Sequence, residues 1–591
     1  MARRLFILQI SLVLILFKTL LAGVSGIQAS QPEIALLVNQ AGYNKGGIKS
    51  IWLQADFDPA DIRTFMVSKN DQVVFQGQWG AVNKIEAWNK WYRQGDLSSV
   101  SEAGEYRAYV EWQGRLFWSP PFTMDTRRLI EWTGPLAVEF FFVQRCGTEV
   151  PGWHAACHLD DARFLDGRHI NLSGGWHDAG DYNKYNGYTP LAVYALAKFA
   201  ESPSLTSADF SQSPTTPLKE ALWGAEWLQK CQDPETRKLI GYVFSGFKYW
   251  GIPEKETDNI PGNSDDRPAY PLDWNENEMA VAAYSTLFRI TRDTAWKQAA
   301  LDLWAVVKTH DCGQNPLQWA KRLLAAVELH KSFWDASLAL EAEKCADVLL
   351  RTQDASGRWP VWSLLDNGLV PASLAEFILE FEQSRLVPDI RRSLEQNIAY
   401  WEKNRPIPFA IPKWSETDVF FPYLEKTWYV GQNSQYLSQA WAGLLFAQVS
   451  PSKQRQALKL AQGCLDWVLG ANPFGICLMC GAGSLHLKRY HHRYDTIPNG
   501  RQGNVPGAIS NGITREKPEL DIPYLDLEGN SWQTNEPWLP HNAYYLLCLA
   551  EINISYLRAE NGKAKKDVRR PGVSGYEKAK FKFFLPIIFP K

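Results

Sequence analysis

Two aspartates lie three positions apart in a glycine-rich stretch of the chain. Residues 174–185 read Gly-Gly-Trp-His-Asp-Ala-Gly-Asp-Tyr-Asn-Lys-Tyr, which places Asp178 and Asp181 in one loop ahead of a helical pattern. Two carboxylates near one water molecule can activate it together, since one removes the proton while the other orients the water. The same spacing also suits an aspartate-rich turn, a helix cap or a calcium-binding loop. Spacing alone therefore leaves catalysis and a structural role open.

A second group of residues has the chemistry of a metal site. Cys146, Cys157, His158 and His177 offer two thiolates and two imidazoles, a suitable ligand set for tetrahedral zinc. The alternative is a disulfide between Cys146 and Cys157, with the histidines in unrelated roles. Such a disulfide would be stable if the protein is exported to an oxidising compartment. Four protein ligands leave no coordination position for an activated water. Zinc held here is therefore expected to be structural, and a zinc hydrolase is not expected.

The hydrophobic pattern divides the chain into two regions that would position these residues. Within 33–125, short apolar runs alternate with turn signals about every ten residues, which predicts an immunoglobulin-like β-sandwich. Within 130–560, roughly a dozen amphipathic helical segments follow, and a set of that size suits a closed barrel of helical hairpins. Long loops rich in glycine, proline and tryptophan would gather at one end of the barrel as a cleft. Two of the predicted apolar stripes are Ala457, Leu460, Ala461, Cys464, Leu465 and Val468, and Leu338, Ala342, Cys345 and Leu349.

Charge and composition bound the partners and the location of the chain. Its 591 residues carry 62 basic and 64 acidic side chains, so no global charge attracts it to nucleic acid. The 26 tryptophans suit the faces of sugar rings, although composition alone favours an aromatic-rich core as their explanation. Residues 1–29 place Arg3 and Arg4 before an apolar run, which predicts a cleaved signal peptide and a secreted or periplasmic protein without a stable membrane span. The basic and then apolar tail 561–591 and the oligomeric state receive no assignment.

The loop at 174–185 closely resembles the catalytic-base motif of glycoside hydrolase family 9, a cellulase family with an (α/α)6 barrel. The resemblance covers most of the chain in family order and includes the immunoglobulin-like module that precedes many of these barrels. The other motifs that carry it are Val-Asn-Gln-Ala-Gly-Tyr at 38–43, Ala-Gly-Glu-Tyr at 103–106, Phe-Phe-Phe-Val-Gln-Arg-Cys-Gly at 140–147, Cys-His-Leu-Asp-Asp-Ala at 157–162, Gly-Ala-Asn-Pro-Phe-Gly at 470–475, Tyr-His-His-Arg at 490–493, Asn-Val-Pro-Gly at 504–507 and Asn-Glu at 535–536.

The resemblance implies roles for the matching residues. Asp181 corresponds to the general base, Asp178 to the aspartate that holds the water, and Glu536 to the general acid. Because an acid must keep its proton at neutral pH, Glu536 is expected in a less polar pocket. The family inverts configuration, so the base and acid carboxyls are expected roughly 6.5–9.5 Å apart. The implied substrate-binding residues are His491, Arg493, Asp526, Tyr185 and Trp428.

The resemblance also bears on metals. Relatives with the immunoglobulin-like module bind zinc at positions that match Cys146, Cys157, His158 and His177, which favours structural zinc over the disulfide. Because His177 adjoins Asp178, the metal would tie the base loop to the preceding segment. Calcium occurs in such relatives as well, and the sequence assigns no ligands to it.

Departures from the family pattern concern the substrate more than the catalytic groups. Tyr490 stands where the family has proline or an aliphatic residue, Trp538 stands where a small residue is common, and 240–430 matches the family only in short pieces. The expected activity is endo-acting cleavage of cellulose-like β-1,4-glucan. An exo-acting enzyme on xyloglucan, cello- or glucosamine oligosaccharides is the alternative within the same chemistry. A non-catalytic glycan-binding relative is the alternative of another class, and the presence of all three carboxyls argues against it.

Overall fold

The computed structural model describes residues 34–561 except 234, 247–248, 271–275, 362, 406–407, 410, 412–431, 497–502, 518–519 and 530. The predicted signal peptide, the tail beyond 561 and Trp428 therefore lie outside the described residues. Within these ranges, none of the helices combines the length and the apolar character that a membrane crossing requires.

The N-terminal region consists of short strands in two sheets. One sheet has the order β1-β3-β7-β6, and the other has the order β2-β10-β8-β4-β5 with β9 beside β8. Apolar residues of both sheets, such as Ile51 and Phe65, form one shared core, as the alternating sequence pattern predicts. The strands are β1 (Ile34–Leu37), β2 (Tyr43–Asn44), β3 (Ser50–Ala55), β4 (Thr64–Lys69), β5 (Gln72–Gln78), β6 (Asn83–Ile85), β7 (Lys90–Asp96), β8 (Gly104–Trp112), β9 (Arg115–Trp118) and β10 (Phe122–Asp125).

Helices dominate the rest of the described chain. The two apolar stripes predicted from the sequence lie in α11 and α7, where all their members are buried. The helices are α1 (Arg128–Val143), α2 (Thr189–Glu201), α3 (Pro217–Lys230), α4 (Asn277–Thr291), α5 (Thr294–Val307), α6 (Pro316–Phe333), α7 (Ala336–Thr352), α8 (Leu369–Glu380), α9 (Val387–Lys403), α10 (Gln432–Val449), α11 (Gln454–Val468), α12 (Trp532–Asn535) and α13 (Leu539–Asn561).

Six of these helices contact one another in a closed circuit, which runs α2–α4–α6–α8–α10–α13 and back to α2. Outside the circuit, each of them packs most extensively against one partner helix, namely α3, α5, α7, α9, α11 and α1 in the same order. Helices such as α2, α4 and α6 are buried along most of their length, whereas α5, α7 and α9 are buried on one face. A helix buried all round belongs to the interior, so the circuit forms the inner layer.

Two of the helical hairpins are closed by a left-handed residue followed directly by an aspartate that caps the next helix. Arg292 ends α4 in the left-handed conformation with φ of 61°, and Asp293 caps α5 by accepting a hydrogen bond from a backbone N–H 2.9 Å away. Trp334 and Asp335 repeat this arrangement between α6 and α7, with φ of 58° and a capping bond of 2.8 Å. A left-handed residue reverses the chain, and an aspartate satisfies the free N–H groups of the next helix.

A small sheet connects the loop at 174–185, called the aspartate loop below, to later segments. Its order is β11 (Arg163–Phe164), β14 (Pro268–Tyr270), β13 (Tyr242–Val243) and β12 (Lys184–Tyr185). Tyr185, Tyr242 and Tyr270 stack across three of these strands, with ring centroids 4.9 Å and 4.8 Å apart. The sheet thereby fixes the end of the aspartate loop against the segment that follows Leu239. A separate hairpin joins β15 (Thr514–Lys517) and β16 (Leu520–Tyr524).

The sheet region contacts the helical region through buried hydrogen bonds. Asn39 Nδ2 donates to Asp466 Oδ1 at 2.9 Å, and the backbone N–H of Gln40 donates to the carbonyl of Leu469 at 2.9 Å. Asp466 also accepts a hydrogen bond from Gln462 at 2.7 Å. The end of α11 is therefore part of the contact between the two regions.

Asp466 makes the stability of this contact depend on pH. Burial raises the pKa of its carboxyl to about 7, so from about pH 4 to pH 7 the folded chain binds a proton that the unfolded chain releases. The free energy of unfolding is therefore expected to fall as pH rises through this window, by at most about 4 kcal/mol. We expect Asp466→Asn to remove this loss in urea unfolding at about pH 5 and pH 8. The exposed Asp389→Asn is the control, and a variant that keeps the full loss would contradict the assignment.

Candidate active site and metal centre

The loop that carries Asp178 and Asp181 is closed by its own polar groups. The backbone N–H of Asp178 donates to the carbonyl of Asn183 at 2.8 Å. Asn183 in turn donates from its backbone N–H to Asp181 Oδ1 at 3.0 Å and from Nδ2 to Asp181 Oδ2 at 2.5 Å. Both oxygens of Asp181 therefore have fixed donors, although the residue is only half-buried.

Asp178 is held from the opposite side by the segment that follows Glu536. The indole Nε1 of Trp538 donates to Asp178 Oδ2 at 2.5 Å, and the backbone N–H of Leu539 donates to the Asp178 carbonyl at 3.0 Å. The Trp538 ring meets the edge of Tyr188 at 4.9 Å. Asp178 Oδ1 is buried and accepts no hydrogen bond from the described residues, so this oxygen is available to a water molecule.

Glu536 meets the aspartate loop at Gly180. A Cβ at Gly180 would lie 1.9 Å from the carbonyl oxygen of His491 and 3.2 Å from Glu536 Oε1. Only glycine allows this approach, because no side chain fits against a backbone oxygen at that distance. The structure therefore brings the three predicted catalytic carboxyls to one place, from loops more than three hundred residues apart in sequence.

The pKa values of all three carboxyls are raised, but different neighbours act on each of them. Burial, and then the charges of Asp181 and Asp178, raise the pKa of Glu536 well above its ordinary value. Burial also raises the pKa of Asp178 well above its ordinary value. For Asp181, burial raises the pKa, while the charge of Arg493 and the Asn183 hydrogen bonds oppose the shift. Asp181 is thus the carboxylate best supplied with partners for its ionised form, whereas burial favours the protonated form of both Glu536 and Asp178.

The predicted sugar-binding pair at 491–493 adjoins the aspartate loop. The backbone N–H of Arg493 donates to the Gly180 carbonyl at 2.8 Å. Arg493 is 1% exposed, and its guanidinium donates to Ser245 Oγ at 2.7 Å and to the Gly246 carbonyl at 2.6 Å. His491 is half-buried, and its ring lies 5.1 Å from that of Trp250. Arg493 therefore anchors the loop at 245–246, and direct sugar contact by either residue stays a prediction.

The other predicted substrate-binding residues occupy different surroundings. The carboxylate of Asp526 accepts backbone hydrogen bonds from Gly529 at 2.7 Å and Ser531 at 2.9 Å, so it shapes the turn that leads into α12 and Glu536. Tyr185 is half-buried at the end of the tyrosine stack, beside the aspartate loop. Trp428 lies outside the described residues.

Three residues that position the site are absent from the sequence-based prediction. Gln144 donates to the carbonyls of His177 at 3.1 Å and Ala179 at 2.6 Å, and its Oε1 lies 2.8 Å from His492 Nε2. It lies inside the motif at 140–147, yet its side-chain role requires the folded contact. An asparagine two positions after an aspartate is a turn signal that could have indicated Asn183. The third residue is Trp538. Its large side chain, at a position where small residues are common, could have indicated a role in the site.

The predicted metal ligands are brought together and buried. One ligand atom from each of Cys146, Cys157, His158 and His177 lies within 4.8 Å of the others. Cys146 Sγ is 3.5 Å from His158 Nδ1, and Cys157 Sγ is 3.9 Å from His177 Nε2. Behind the cluster, His158 Nε2 lies 3.0 Å from a carboxylate oxygen of Glu256, an arrangement that orients a metal-binding imidazole.

The chemistry of these side chains fits a zinc ion. All nine cysteines of the chain are free thiols, so no disulfide joins Cys146 and Cys157 in this structure. Burial opposes ionisation of Cys146, but the hydrogen bond with Cys157 and the nearby cationic charges lower the pKa of Cys146 to about 7. Burial lowers the pKa of His158 and His177 well below the ordinary value, which keeps both rings neutral and able to bind a metal.

A buried group of charges links the metal ligands to the aspartate loop. The carboxylate of Asp161 accepts hydrogen bonds from Arg267 at 2.7 Å and 2.6 Å and pairs with Lys184 at 2.5 Å. Lys184 also donates to the carbonyl of Leu172 at 2.6 Å, and Arg267 donates to the carbonyl of Tyr182 at 2.6 Å. These bonds fix both ends of the aspartate loop to the segment that carries His158.

Known proteins resemble this chain in both of its regions. The model of a family described as glycosyl hydrolase family 9 matches residues 135–549, and that of a cellulase N-terminal Ig-like domain matches residues 31–114. Endoglucanase D of Acetivibrio thermocellus is 24% identical over 556 residues, which span 87% of this chain and 80% of that protein.

Solved structures share the fold at low sequence identity. A metagenome-derived glycoside hydrolase family 9 endoglucanase has a TM-score of 0.67 at 23% identity and covers 88% of this chain and 99% of its own. A zinc-binding triple mutant of another family 9 endoglucanase has a TM-score of 0.64 at 19% identity, with coverage of 86% and 99%. Since the family match spans most of the chain, the resemblance seen in the sequence is confirmed: this chain belongs to glycosyl hydrolase family 9 and is a glycoside hydrolase with an N-terminal Ig-like domain of the cellulase type.

Proposed function

We propose that this glycoside hydrolase is a secreted, endo-acting β-1,4-glucanase that inverts configuration at the anomeric carbon. The observation that carries the proposal is the meeting of Glu536 with Asp178 and Asp181 across Gly180, with the pKa of Glu536 raised well above its ordinary value. The endoglucanases among its relatives support the substrate and the endo mode. The signal-peptide pattern of residues 1–29 supports secretion.

In the proposed mechanism, Glu536 gives its proton to the glycosidic oxygen as the bond to the anomeric carbon breaks. Asp181 removes a proton from a water molecule that attacks the anomeric carbon from the opposite face. Asp178 orients this water through Oδ1, the oxygen that Trp538 does not occupy. The step ends with Glu536 ionised and Asp181 protonated, and exchange with solvent restores both.

We further infer the architecture that supports this chemistry. The closed circuit of helices with its paired outer layer supports an (α/α)6 barrel over residues 130–560, preceded by the immunoglobulin-like domain over 33–125. The partly exposed His491 and Tyr185 lie beside the catalytic loop and are proposed to contact the sugar chain. Arg493 is proposed to align this contact by holding the neighbouring loop.

We also propose that Cys146, Cys157, His158 and His177 hold a structural zinc ion. A bound zinc would cross-link the aspartate loop, through His177, to the segment at 157–158. It would supply no activated water because protein ligands take all four coordination positions. The buried, close-packed ligand atoms and the lowered pKa of Cys146 support this assignment.

The roles of the acid and the base separate when the leaving group is changed. On soluble β-1,4-glucan, we expect Glu536→Gln and Asp181→Asn each to lower kcat by about 10²- to 10⁴-fold. On an aryl cellobioside with an acidic phenol, Glu536→Gln should regain most of its rate because the phenol leaves without a proton, whereas Asp181→Asn should not. Reducing-sugar release and phenol absorbance measure the two reactions.

The product pattern and a control complete this test. Oligomers of mixed length at early times are expected from an endo-acting enzyme, and proton NMR should show the α-anomer first. Glu528→Gln, an exposed change in the turn that precedes α12 and Glu536, should leave both rates unchanged. A single short product would replace the endo mode by an exo mode, and saturable glucan binding without hydrolysis would overturn the enzymatic proposal.

Trp538 is expected to set the ionisation of Asp178. Trp538→Phe keeps an aromatic ring beside Tyr188 but removes the N–H, and a hydrogen bond to a charged acceptor contributes about 1.5–3 kcal/mol. The pKa of Asp178 should therefore rise, so that the acidic limb of the kcat–pH profile moves to higher pH and kcat falls roughly tenfold with little change in KM. Trp132→Phe removes an indole donor far from the carboxyls and is the control. An unchanged pH profile would contradict this role.

Metal content and thiol counting distinguish zinc from a disulfide. We expect about one zinc per chain by mass spectrometry, and loss of this zinc with a lower Tm in Cys157→Ser. Cys312→Ser changes a buried thiol outside the cluster and should keep the metal. After unfolding with a chelator and no reductant, the wild-type chain should titrate as nine thiols. Two fewer would establish the disulfide and exclude the zinc site.

A further inference from the structure

A cavity on the outer side of the helical region lies between the end of α3 and the helices α4 and α5. Its volume is about 260 Å³, and it opens to solvent. Gln229 of α3 and Gln298 and Asp302 of α5 line it, together with Leu239 from the segment that follows α3. A cavity smaller than the ~300–1,000 Å³ of a typical drug-sized pocket suits a small ligand or one unit of a polymer. Neither the proposed catalytic carboxyls nor the proposed zinc ligands belong to its lining.

Tyr284 supplies an indication of a ligand that does not depend on the shape of the cavity. The residue lines the cavity from α4 and is only 3% exposed, with its ring stacked on Trp296 at 5.7 Å. Its hydroxyl has no hydrogen-bond partner in the described part of the chain. A buried hydroxyl without a partner is costly, so its position beside an open cavity indicates that a further molecule binds it there.

The polar side chains of the lining keep several hydrogen-bonding groups available. Gln298 and Asp302 lie one turn apart on α5, and Gln298 Nε2 donates to Asp302 Oδ1 at 2.8 Å. Arg237 Nη2 lies 3.7 Å from Asp302 Oδ2 and pairs with the carboxylate. Within the described residues, the amide of Gln229 makes no side-chain hydrogen bond. A carboxylate beside two carboxamides can accept from and donate to neighbouring hydroxyls at the same time.

The chemistry of the lining narrows the class of ligand. No lysine, arginine or histidine lines the cavity, so nothing there attracts an anion such as phosphate. One carboxylate that already pairs with Arg237 is too small a ligand set for calcium or magnesium. Carboxamides, a carboxylate and a phenol, together with the apolar side chains of Leu239 and Leu303, suit a neutral molecule that has many hydroxyls and an apolar C–H face.

We propose that this cavity is a second sugar-binding site, which holds a glucosyl unit away from the catalytic carboxyls. The choice of glucose rests on the proposed glucanase function, whereas the many hydroxyls of the ligand follow from the lining. In the complex, Gln298 and Asp302 bind adjacent hydroxyls, and the Tyr284 hydroxyl gains the partner that it lacks. No covalent bond forms or breaks at this site, so its contribution is binding alone.

A short segment of chain connects the site to the aspartate loop. Leu239 of the lining precedes β13 by three residues, and Tyr242 of β13 stacks on Tyr185 at 4.9 Å. Three residues span at most about 10 Å, so a glucan chain that leaves the aspartate loop has the cavity within reach. A chain held at both places would be present at the catalytic carboxyls at a higher effective concentration.

Calorimetric titration of the full-length Glu536→Gln variant counts sugar sites without hydrolysis. With cellohexaose we expect about two sites per chain, one at the catalytic loop and one in the cavity. Adding Gln298→Ala, which changes an exposed side chain, should lower the affinity of the second site at least about tenfold because hydrogen bonds to the sugar are lost. Tyr284→Phe keeps the stack on Trp296 and should cause a similar loss with an unchanged Tm, whereas a merely structural role would lower Tm and leave this affinity unchanged.

A matched control makes these outcomes decisive. Gln396→Ala removes an exposed glutamine from the outer helix α9 and should leave both affinities unchanged. A single site in the parent would overturn the second site and leave the glucanase proposal intact. Two sites that both withstand Gln298→Ala and Tyr284→Phe would overturn the cavity as the location. The absence of any glucan binding would overturn both proposals.

Titration with cellobiose separates two sources of the same glucosyl unit. Much tighter binding of cellohexaose than of cellobiose at the second site would support a role in holding the polymer. Equal binding of both sugars would support a role in retaining a released product. The proposal holds in either case and fails if the binding of neither sugar responds to Gln298→Ala.

Discussion

The site depends on one buried carboxylate, that of Asp161, and on the two cations that neutralise it. Arg267 comes from a segment distant in sequence and donates to the carbonyl of Tyr182 in the aspartate loop. Lys184 belongs to that loop and donates to the carbonyls of Leu172 and Gly174 at its start. Removal of one partner from a buried ion pair leaves an uncompensated charge at a cost of about 3–5 kcal/mol. Such a penalty makes the group cooperative. Loss of one of these contacts is expected to displace the aspartate loop, the segment at 157–162 and Arg267 together.

The same group has an electrostatic consequence for the metal ligands. Two cations face one carboxylate, and the excess positive charge lies against the thiols, with Arg267 Nη2 at 3.9 Å from Cys146 Sγ. The charges of Lys184 and Arg267 help to lower the pKa of Cys146 to about 7 although burial opposes this. These charges therefore favour a thiolate in the proposed zinc site, so that a metal binding there would displace fewer protons. The ion-pair group thus acts on the proposed metal centre and on the aspartate loop through one set of contacts.

Sequence reasoning predicted the parts of this site that are local. The apolar stripes of α7 and α11 follow from their period, because neighbours in sequence are neighbours in space there. The roles expected of the aspartate loop and of the Cys-His set came from the resemblance to the family, since spacing alone left them open. Sequence reasoning did not predict that Arg493 would be buried against Ser245, or that Asp526 would close a turn. Those roles depend on which distant segments meet. The sequence does not distinguish a charged side chain that binds a sugar from one that binds a backbone carbonyl. The hydrogen bond from Trp538 to Asp178 is of this kind, since it joins residues 360 positions apart.

Gly180 shows how the fold sets the separation of the proposed acid, Glu536, and the proposed base, Asp181. The backbone of the aspartate loop and that of the segment at 491 touch at this residue, where a single Cβ would collide with a carbonyl oxygen. Arg493 and Gly180 are hydrogen-bonded through their backbones, and Asn511 donates to the carbonyl of Glu536 at 2.8 Å. Main-chain contacts therefore fix both carboxyl-bearing segments, and the short side chain of Asp181 adds little freedom. An inverting hydrolase needs a defined gap that admits one water, and a gap set by backbone contacts varies less than one set by flexible side chains.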